Sequence, residues 1–289
     1  MVKQISELYR EARRAFAAQE DENYAAFLAR SLLCHVTGKT QEQILADKDM
    51  YVGDETCEAM SRAVQRVLNG EPLAYVLGEW DFYGMTLHVD HNVLIPRDDT
   101  CAVTALAIRQ ALFLNSTPRI LDLCTGSGCI GLAVANRVKD AKVTLADISK
   151  DALAVAKKNV VQQKLSARVS CVQADALKPA APFLGKFDLI ISNPPYITTD
   201  EMAVLPISVK NYEPHLALHG GGDGLDFYRS IATNFANALK PGGYLCLEFG
   251  MGQGNAVCAI LKENGYTILE RSRDYNDRER AVLAQRKES

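Results

Sequence analysis

Residues 119–131, RILDLCTGSGCIG, decide how this chain folds. Ile120, Leu121 and Leu123 make a short apolar run bounded by a glycine cluster, the pattern of a buried strand, Arg119–Leu123, entering a tight turn. A helix over Gly128–Val138 follows. Glycine in that turn lets the backbone approach a ligand with no Cβ in the way. Gly126, Gly128 and Gly131 spell GxGxxG, which by itself is a weak signal and keeps a nicotinamide or flavin site as a rival. The next strand, Val143–Asp147, ends in a carboxylate that can accept both hydroxyls of a ribose, so an adenosine cofactor of some kind is expected. Asp175, after a third strand over Arg168–Gln173, stands where it would border an adenine ring. An isolated aspartate there is also the ordinary choice for a turn or helix start.

Outward from this segment, helices and strands alternate. Helix Thr100–Leu114 precedes it. Helix Lys150–Val161, strand Phe187–Ser192, helix Leu225–Leu239, strand Tyr244–Phe249, helix Asn255–Asn264 and a hairpin-like pair near Tyr266–Glu270 and Arg280–Ala284 follow. Alternation of this kind implies a mostly parallel sheet covered by helices on both faces, with ligands outside the carboxyl ends of its strands. Residues 1–75 read differently, as helices only. Ile5, Leu8, Tyr9, Ala12 and Phe16 share one face, as do Met60, Ala63, Val64, Val67 and Leu68. A small N-terminal helical bundle over 1–75, a β-hairpin linker over 76–97 turning at Gly84, and an α/β domain over 98–289 are therefore expected.

Composition limits what such a chain does. The 289 residues carry 32 basic against 35 acidic side chains, a net charge of −3, which disfavours a broad electrostatic grip on nucleic acid. No apolar run approaches the ~20 residues of a membrane span, and no signal or transit segment opens the chain, so a cytoplasmic protein is expected. The eight cysteines are scattered without a CxxC pair and read as small buried hydrophobes in a reducing compartment. No histidine spacing suggests a metal site.

The chemistry is carried by Asn193-Pro194-Pro195-Tyr196, directly after strand Phe187–Ser192. Both prolines lack an N–H and hold φ near −65°, so the loop is stiff and its middle offers carbonyl acceptors without competing donors. Asn193 adds a side-chain carbonyl and Tyr196 a flat apolar face. Such a cup suits a planar substrate bearing an –NH2, whose two donors need two acceptors. With the usual reversal of strand order, the first and fourth strands are neighbours, and this loop would flank the same crevice as the glycine turn. An adenosine cofactor beside an acceptor-lined cup makes sense as group transfer to nitrogen.

Asp122–Gly128 together with Asn193–Tyr196 resembles the S-adenosyl-L-methionine-dependent amino-methyltransferases. The blocks Gly70–Tyr75, Ile95–Thr100, Glu213–Leu218 and Gly221–Arg229, recurring in order over nearly the whole chain, are similar to the peptide-chain release factor glutamine methyltransferase family (PrmC/HemK). The resemblance implies a Rossmann-like class I fold with a seven-stranded sheet. It also implies S-adenosyl-L-methionine as cofactor, S-adenosyl-L-homocysteine as product, and transfer to the side-chain amide nitrogen of the glutamine in the Gly-Gly-Gln loop of release factors. The helical bundle would grip that protein substrate, with no direct nucleic-acid binding and a monomeric enzyme. Carried over residue by residue, the cofactor would meet Asp122, Cys124, Thr125, Gly126, Ser127, Gly128, Asp147, Asp175, Ala176 and Asn193. Asn193, Pro194, Pro195 and Tyr196 would hold the glutamine, with Asn193, Pro194 and Tyr196 catalytic. The sequence departs from the family pattern at Cys124 (usually glycine), Asp98 (often proline), Cys101 (often acidic) and His219 (often aspartate). Ala176 lacks the large side chain of some members. Two rivals share the tetrapeptide: glutamine methylation of a ribosomal protein, and N6-adenine methylation of nucleic acid. A non-catalytic adenosine-binding module is a third. Gly252-Gln253-Gly254 reads as a helix-start turn, and Arg271, Arg273, Arg278 and Arg280 as a solvated face.

Overall fold

A computed structural model describes residues 2–114 and 117–287, so the expected outer bounds at Met1 and Ser289 lie outside the described residues. Two compact units result, one of residues 1–78 with Ile207–Tyr212 and one of Glu79–Pro206 with Glu213–Ser289.

The first unit is built on helices Ile5–Phe16, Glu22–Thr37, Gln41–Ala46, Asp54–Leu68 and Leu73–Leu77. Ile5, Leu8, Ala12 and Phe16 fall at helical spacing and are buried. The second helix is capped by Asp21, whose carboxylate accepts from the Asn23 and Tyr24 amides, and it ends at Gly38 with φ +65°. Met60 and Ala63 are the buried residues of the fourth helix, a narrower stripe than the periodicity suggests. Lys3–Gln4 pairs with Tyr51–Val52 as a two-residue antiparallel bridge, too short to announce itself in sequence. Ile207–Tyr212, remote in sequence, belongs to this unit, and the Tyr212 hydroxyl donates to the Asn69 carbonyl at 3.1 Å.

The second unit begins with a hairpin, Glu79–Phe82 against Met85–His88, turning through Tyr83 and Gly84, both with positive φ. Its seven-stranded sheet comprises β1 (Arg119–Leu123), β2 (Lys142–Asp147), β3 (Val169–Gln173), β4 (Phe187–Ser192), β5 (Leu239–Glu248), β6 (Tyr266–Arg273) and β7 (Glu279–Arg286). The spatial order is β6-β7-β5-β4-β1-β2-β3, parallel except for the two pairings made by β7. Core residues pack on both faces of the sheet, which explains why its parallel strands read as continuous apolar runs. Two expected elements change at their ends. The helix foreseen over Leu225–Leu239 stops at Asn234 and gives way to a 3-10 turn at Ala236–Ala238. β5 starts at Leu239 rather than Tyr244, running through Pro241-Gly242-Gly243 with a register shift against β4. The tripeptide falls in that shift: Leu239 pairs with Phe187 and Tyr244 with Leu189, and Gly242 keeps a left-handed φ of +67°.

β1 and β4 are adjacent, with Leu123 opposite Ser192. The winding direction reverses there, and the glycine turn and the Asn193–Tyr196 loop leave neighbouring strand ends.

Candidate active site

The glycine turn is pinned from beneath. Asp122 on β1 is completely buried, and its Oδ2 accepts from the Thr125 hydroxyl at 2.6 Å and the Gly131 amide at 2.9 Å. The Gly131 amide lies in the first turn of helix Cys129–Arg137, where N–H groups lack intrahelical partners. Burial pushes the Asp122 carboxyl up to about 7, against these two hydrogen bonds. Gly126 (φ +53°) and Gly128 (φ +85°) supply the left-handed backbone of the turn. Gly131 has a different reason: a Cβ there would lie 2.3 Å from Leu145 Cδ2. Cys124, where glycine would meet no strain, also sits left-handed at φ +58°. Burial raises its thiol well above the ordinary range.

Asp147 closes the turn from β2. Its Oδ2 accepts from the Gly126 amide and its Oδ1 from the Ser149 amide, both at 2.9 Å. A carboxylate has about four acceptor positions, so two hydrogen bonds leave capacity for hydroxyls. Burial raises its pKa while these amides oppose the rise.

On the other side of the reversal, the Ser192 hydroxyl donates to the Leu123 carbonyl at 2.7 Å, clamping β4 to β1 just before the tetrapeptide. Asn193 Nδ2 donates to the Thr100 hydroxyl at 3.3 Å. Glycines crowd the loop from behind. A Cβ at Gly220 would lie 2.7 Å from the Pro195 carbonyl oxygen, and one at Gly224 would lie 2.3 Å from the Tyr196 carbonyl oxygen. The Gly220–Gly224 segment is therefore glycine-rich because it packs backbone against the tetrapeptide. Gln253 completes the brace: its Nε2 donates to the Tyr196 carbonyl at 3.0 Å, and its Oε1 accepts the Gly250 amide at 2.9 Å.

A cavity of about 260 Å³ opens between these loops. Cys124, Thr125, Gly126, Ser127, Asp147, Asp175, Ala176, Asn193 and Pro195 line it. Four expected contacts are absent from its wall. Asp122 is spent on holding the turn, and Gly128 turns toward Leu132 and Leu145 rather than outward. Pro194 is buried beside the wall. Tyr196 packs on the core, close to Gly250, instead of presenting an open face. Asp175 lines the cavity and also acts as a turn carboxylate, accepting the Leu177 amide at 2.9 Å and pairing with Lys178 at 3.1 Å.

Residues from other segments complete the wall. Asn92–Leu94, Pro96 and Arg97 contribute, as do Pro214, Leu216 and Ala217, and Phe227 adds an aromatic ring. Arg97 pairs with buried Glu213, which also accepts the Ile95 amide at 3.4 Å. Burial raises the Glu213 pKa against the Arg97 charge. Two blocks that resemblance alone singled out are thus joined by one ion pair. Their separation in sequence hides it. Of the C-terminal arginines expected to form a solvated face, Arg280 departs from the expectation: it is 6% exposed, against Asp274 (3.2 Å) and Asp99 (3.0 Å), because two carboxylates offset the cost of burying its charge; Arg271 meets Glu279, and Arg273 meets Asp277 at 3.2 Å.

The residues fit an adenosine cofactor. The turn has left-handed glycines, an acceptor carboxylate ends the second strand, and the buried Ser127 hydroxyl in the wall has no partner within the protein. The described residues hold no cluster of His, Cys, Asp and Glu suited to a metal ion, and none of their helices is long and apolar enough to cross a membrane.

Sheet order and site together define a class I methyltransferase, and residues 102–216 match the methyltransferase small domain. Residues 7–78 match the PrmC N-terminal domain. The release factor glutamine methyltransferase of Clostridium acetobutylicum is 35% identical over 94% of this chain and 96% of its own length. That of Chlorobaculum tepidum is 39% identical, over 93% of this chain and 92% of its own. A methyltransferase structure from Pyrococcus furiosus shares the fold, with a TM-score of 0.51 and 17% identity over 78% of this chain and 99% of that one. The chain belongs to the release factor glutamine methyltransferase family.

Proposed function

We propose that this protein methylates the side-chain amide nitrogen of the glutamine in the Gly-Gly-Gln loop of peptide-chain release factors, with S-adenosyl-L-methionine as methyl donor. One observation carries the reading: Asn193 and the Asp147-braced glycine turn line one cavity. Asp147, Thr125, Gly126 and Ser127 would hold the cofactor, with Asp175 and Ala176 at its adenine. The cofactor supplies an electrophilic methyl group on a sulfonium.

An amide nitrogen is a poor nucleophile because its lone pair is delocalised into the carbonyl. Asn193 Oδ1 in the wall would accept one of its N–H groups, and the Pro194 carbonyl, which lies beside the wall, would have to be reached by the other; the two bonds would favour pyramidal character and free the lone pair for the donor. Holding the reacting atoms in line can contribute ~7–11 kcal/mol in ideal cases. The bound cofactor would supply the methyl group and keep the S–C electron pair; the methylated amide nitrogen would be strongly acidic and would lose its proton to water, so no general base is needed from this chain. Tyr196 acts by stiffening the loop through its packing on the core and the Gln253 hydrogen bond to its carbonyl. The net charge of −3 suits a protein substrate better than a nucleic acid.

The test is transfer of labelled methyl to purified release factor with the loop glutamine intact or replaced. Label confined to the intact protein is expected, and equal labelling of both would overturn the target. Asn193→Ala should lower kcat roughly 10²-fold or more, by analogy with loss of one oriented hydrogen bond at a reacting centre, while cofactor affinity stays within a few-fold.

A further inference from the structure

Asn159, on helix Lys150–Gln162, is completely buried and does not line the cavity. Its side-chain amide is nonetheless engaged at two places. Nδ2 donates to the His88 carbonyl at 3.0 Å and to the Ser127 carbonyl at 2.9 Å, and Oδ1 accepts the His88 amide at 2.7 Å. His88 is thus met through both its N–H and its C=O, as a residue of an antiparallel strand would meet it. A buried amide without such partners is costly. Here one side chain ties its helix to two segments that lie 32 and 71 positions before it.

Both segments feed the cavity wall. Ser127 belongs to the glycine turn and lines the cavity itself. His88 ends the hairpin, and the chain runs from it into Asn92–Leu94, Pro96 and Arg97, which line the cavity too. Gln162 and Gln163, near the end of the same helix, reach only the hairpin, each donating to the Thr86 carbonyl, at 3.0 and 2.8 Å. We infer that Asn159 is a positioning residue that holds the segment Asn92–Arg97 in register with the glycine turn, and so fixes the span a bound cofactor must bridge. This rests on the reading of the cavity as the S-adenosyl-L-methionine site. On that reading Asp147, Asp175 and Ala176 would hold the adenosine end. The methyl would have to face Asn193, whose Nδ2 meets the Thr100 hydroxyl, just beyond Arg97, at 3.3 Å. The amino-acid end would then reach toward the segment that Asn159 holds, while the adenosine end would not depend on it.

Asn159→Ala removes all three hydrogen bonds and leaves room for water to meet the freed backbone groups. Titration calorimetry of wild type and variant with two ligands tests the inference. One ligand is S-adenosyl-L-homocysteine; the other is 5′-methylthioadenosine, which has the same adenosine and sulfur but no amino-acid end. The variant should lose about tenfold or more in affinity for the first and stay within about threefold for the second. A general loosening of the fold would weaken both alike, so an equal loss, or no loss, would overturn the proposal. The double variant Gln162→Ala with Gln163→Ala frees the hairpin strand without touching Ser127 and should keep both affinities. A selective loss there would assign the effect to the hairpin as a whole and overturn the role of Asn159.

A second readout needs no variant and so decides the matter even if Asn159→Ala does not fold. If the tie favours a ligand that spans both segments, that ligand must favour the tie in return. In the wild-type protein, solvent exchange of the His88 amide should therefore slow several-fold more with S-adenosyl-L-homocysteine than with 5′-methylthioadenosine. Each ligand is added at the same multiple of its own Kd, so that any global stabilisation is equal. Equal slowing by the two would overturn the inference. A wild-type protein that binds neither ligand would instead overturn the cofactor reading on which the inference rests.

Discussion

Replacing Gly131 by alanine sets two physical effects against each other. Gly131 stands in the first turn of helix Cys129–Arg137, where alanine is favoured over glycine by about 1 kcal/mol in helix propensity. Sterics oppose it. The new Cβ would lie 2.3 Å from Leu145 Cδ2 and 2.9 Å from Asp122 Oδ2. Leu145 is fully buried in the middle of β2, and Asp122 is held by Thr125 and by the Gly131 amide itself, so neither has room to retreat. Overpacking of this kind costs about 1–3 kcal/mol. Loosening a hydrogen bond to a buried carboxyl costs about 1.5–3 more. The steric and polar losses exceed the propensity gain, leaving a net destabilisation of about 1.5–5 kcal/mol, centred near 3. At ~2–4 °C per kcal/mol for a domain of this size, the melting temperature should drop by roughly 10 °C. Calorimetric melting of wild type and Gly131→Ala checks it. Because Asp122 also holds Thr125, cofactor affinity should weaken in the same variant. A melting temperature that stays level or rises would refute the argument that this glycine exists for helix–sheet packing.

Asp147→Asn should weaken S-adenosyl-L-methionine binding about 10- to 100-fold, the worth of one or two hydrogen bonds to a charged acceptor; titration calorimetry reads it, and undiminished affinity would remove Asp147 from the cofactor site. Cys124→Gly relieves a left-handed residue at φ +58°, and the strain released, less the flexibility glycine adds to the unfolded chain, should raise stability by up to about 1 kcal/mol in urea titration. Glu248 predicts a pH dependence whose sign is definite. Its folded pKa, near 8, lies above its ordinary 4.5, so the folded state holds the proton more tightly. Its contribution is complete below about pH 4.5 and is lost as pH rises through 8, at ~1.4 kcal/mol per pH unit crossed. Arg280 and Asp99 face it with opposing effects. Stability should fall over that window in wild type and fall less in Glu248→Gln; parallel curves would show that the carboxyl titrates normally.

Much of the fold was legible because its signals are local. An apolar run followed by glycines reads as strand, turn and helix wherever it lies, and the alternation of such units implies a parallel sheet. The neighbouring of β1 and β4 followed from the reversal common to such sheets, and Leu123 opposite Ser192 agrees with it. Element ends were less legible. Pro241-Gly242-Gly243 carries a strong turn signal and does interrupt the register of β5 against β4, but Leu239 pairs with Phe187 before it, so the strand begins earlier than the signal suggests. Within the site, Asp122 stood in a motif whose neighbours face the cavity, but alternation along β1 turns its carboxylate under the helix.

The sequence alone determined the residue types at the two loops, the stiffness of Asn193–Tyr196 and the strand ends that carry them, because these depend on spacing and backbone chemistry within a few residues. Only the tertiary structure decided what surrounds them. Arg97 finds Glu213 across 116 positions, Gln253 braces Tyr196 across 57, and the Ser192 hydroxyl reaches the Leu123 carbonyl across 69. Such partners are set by strand order and by the exclusion of water from the core, and no local pattern marks them.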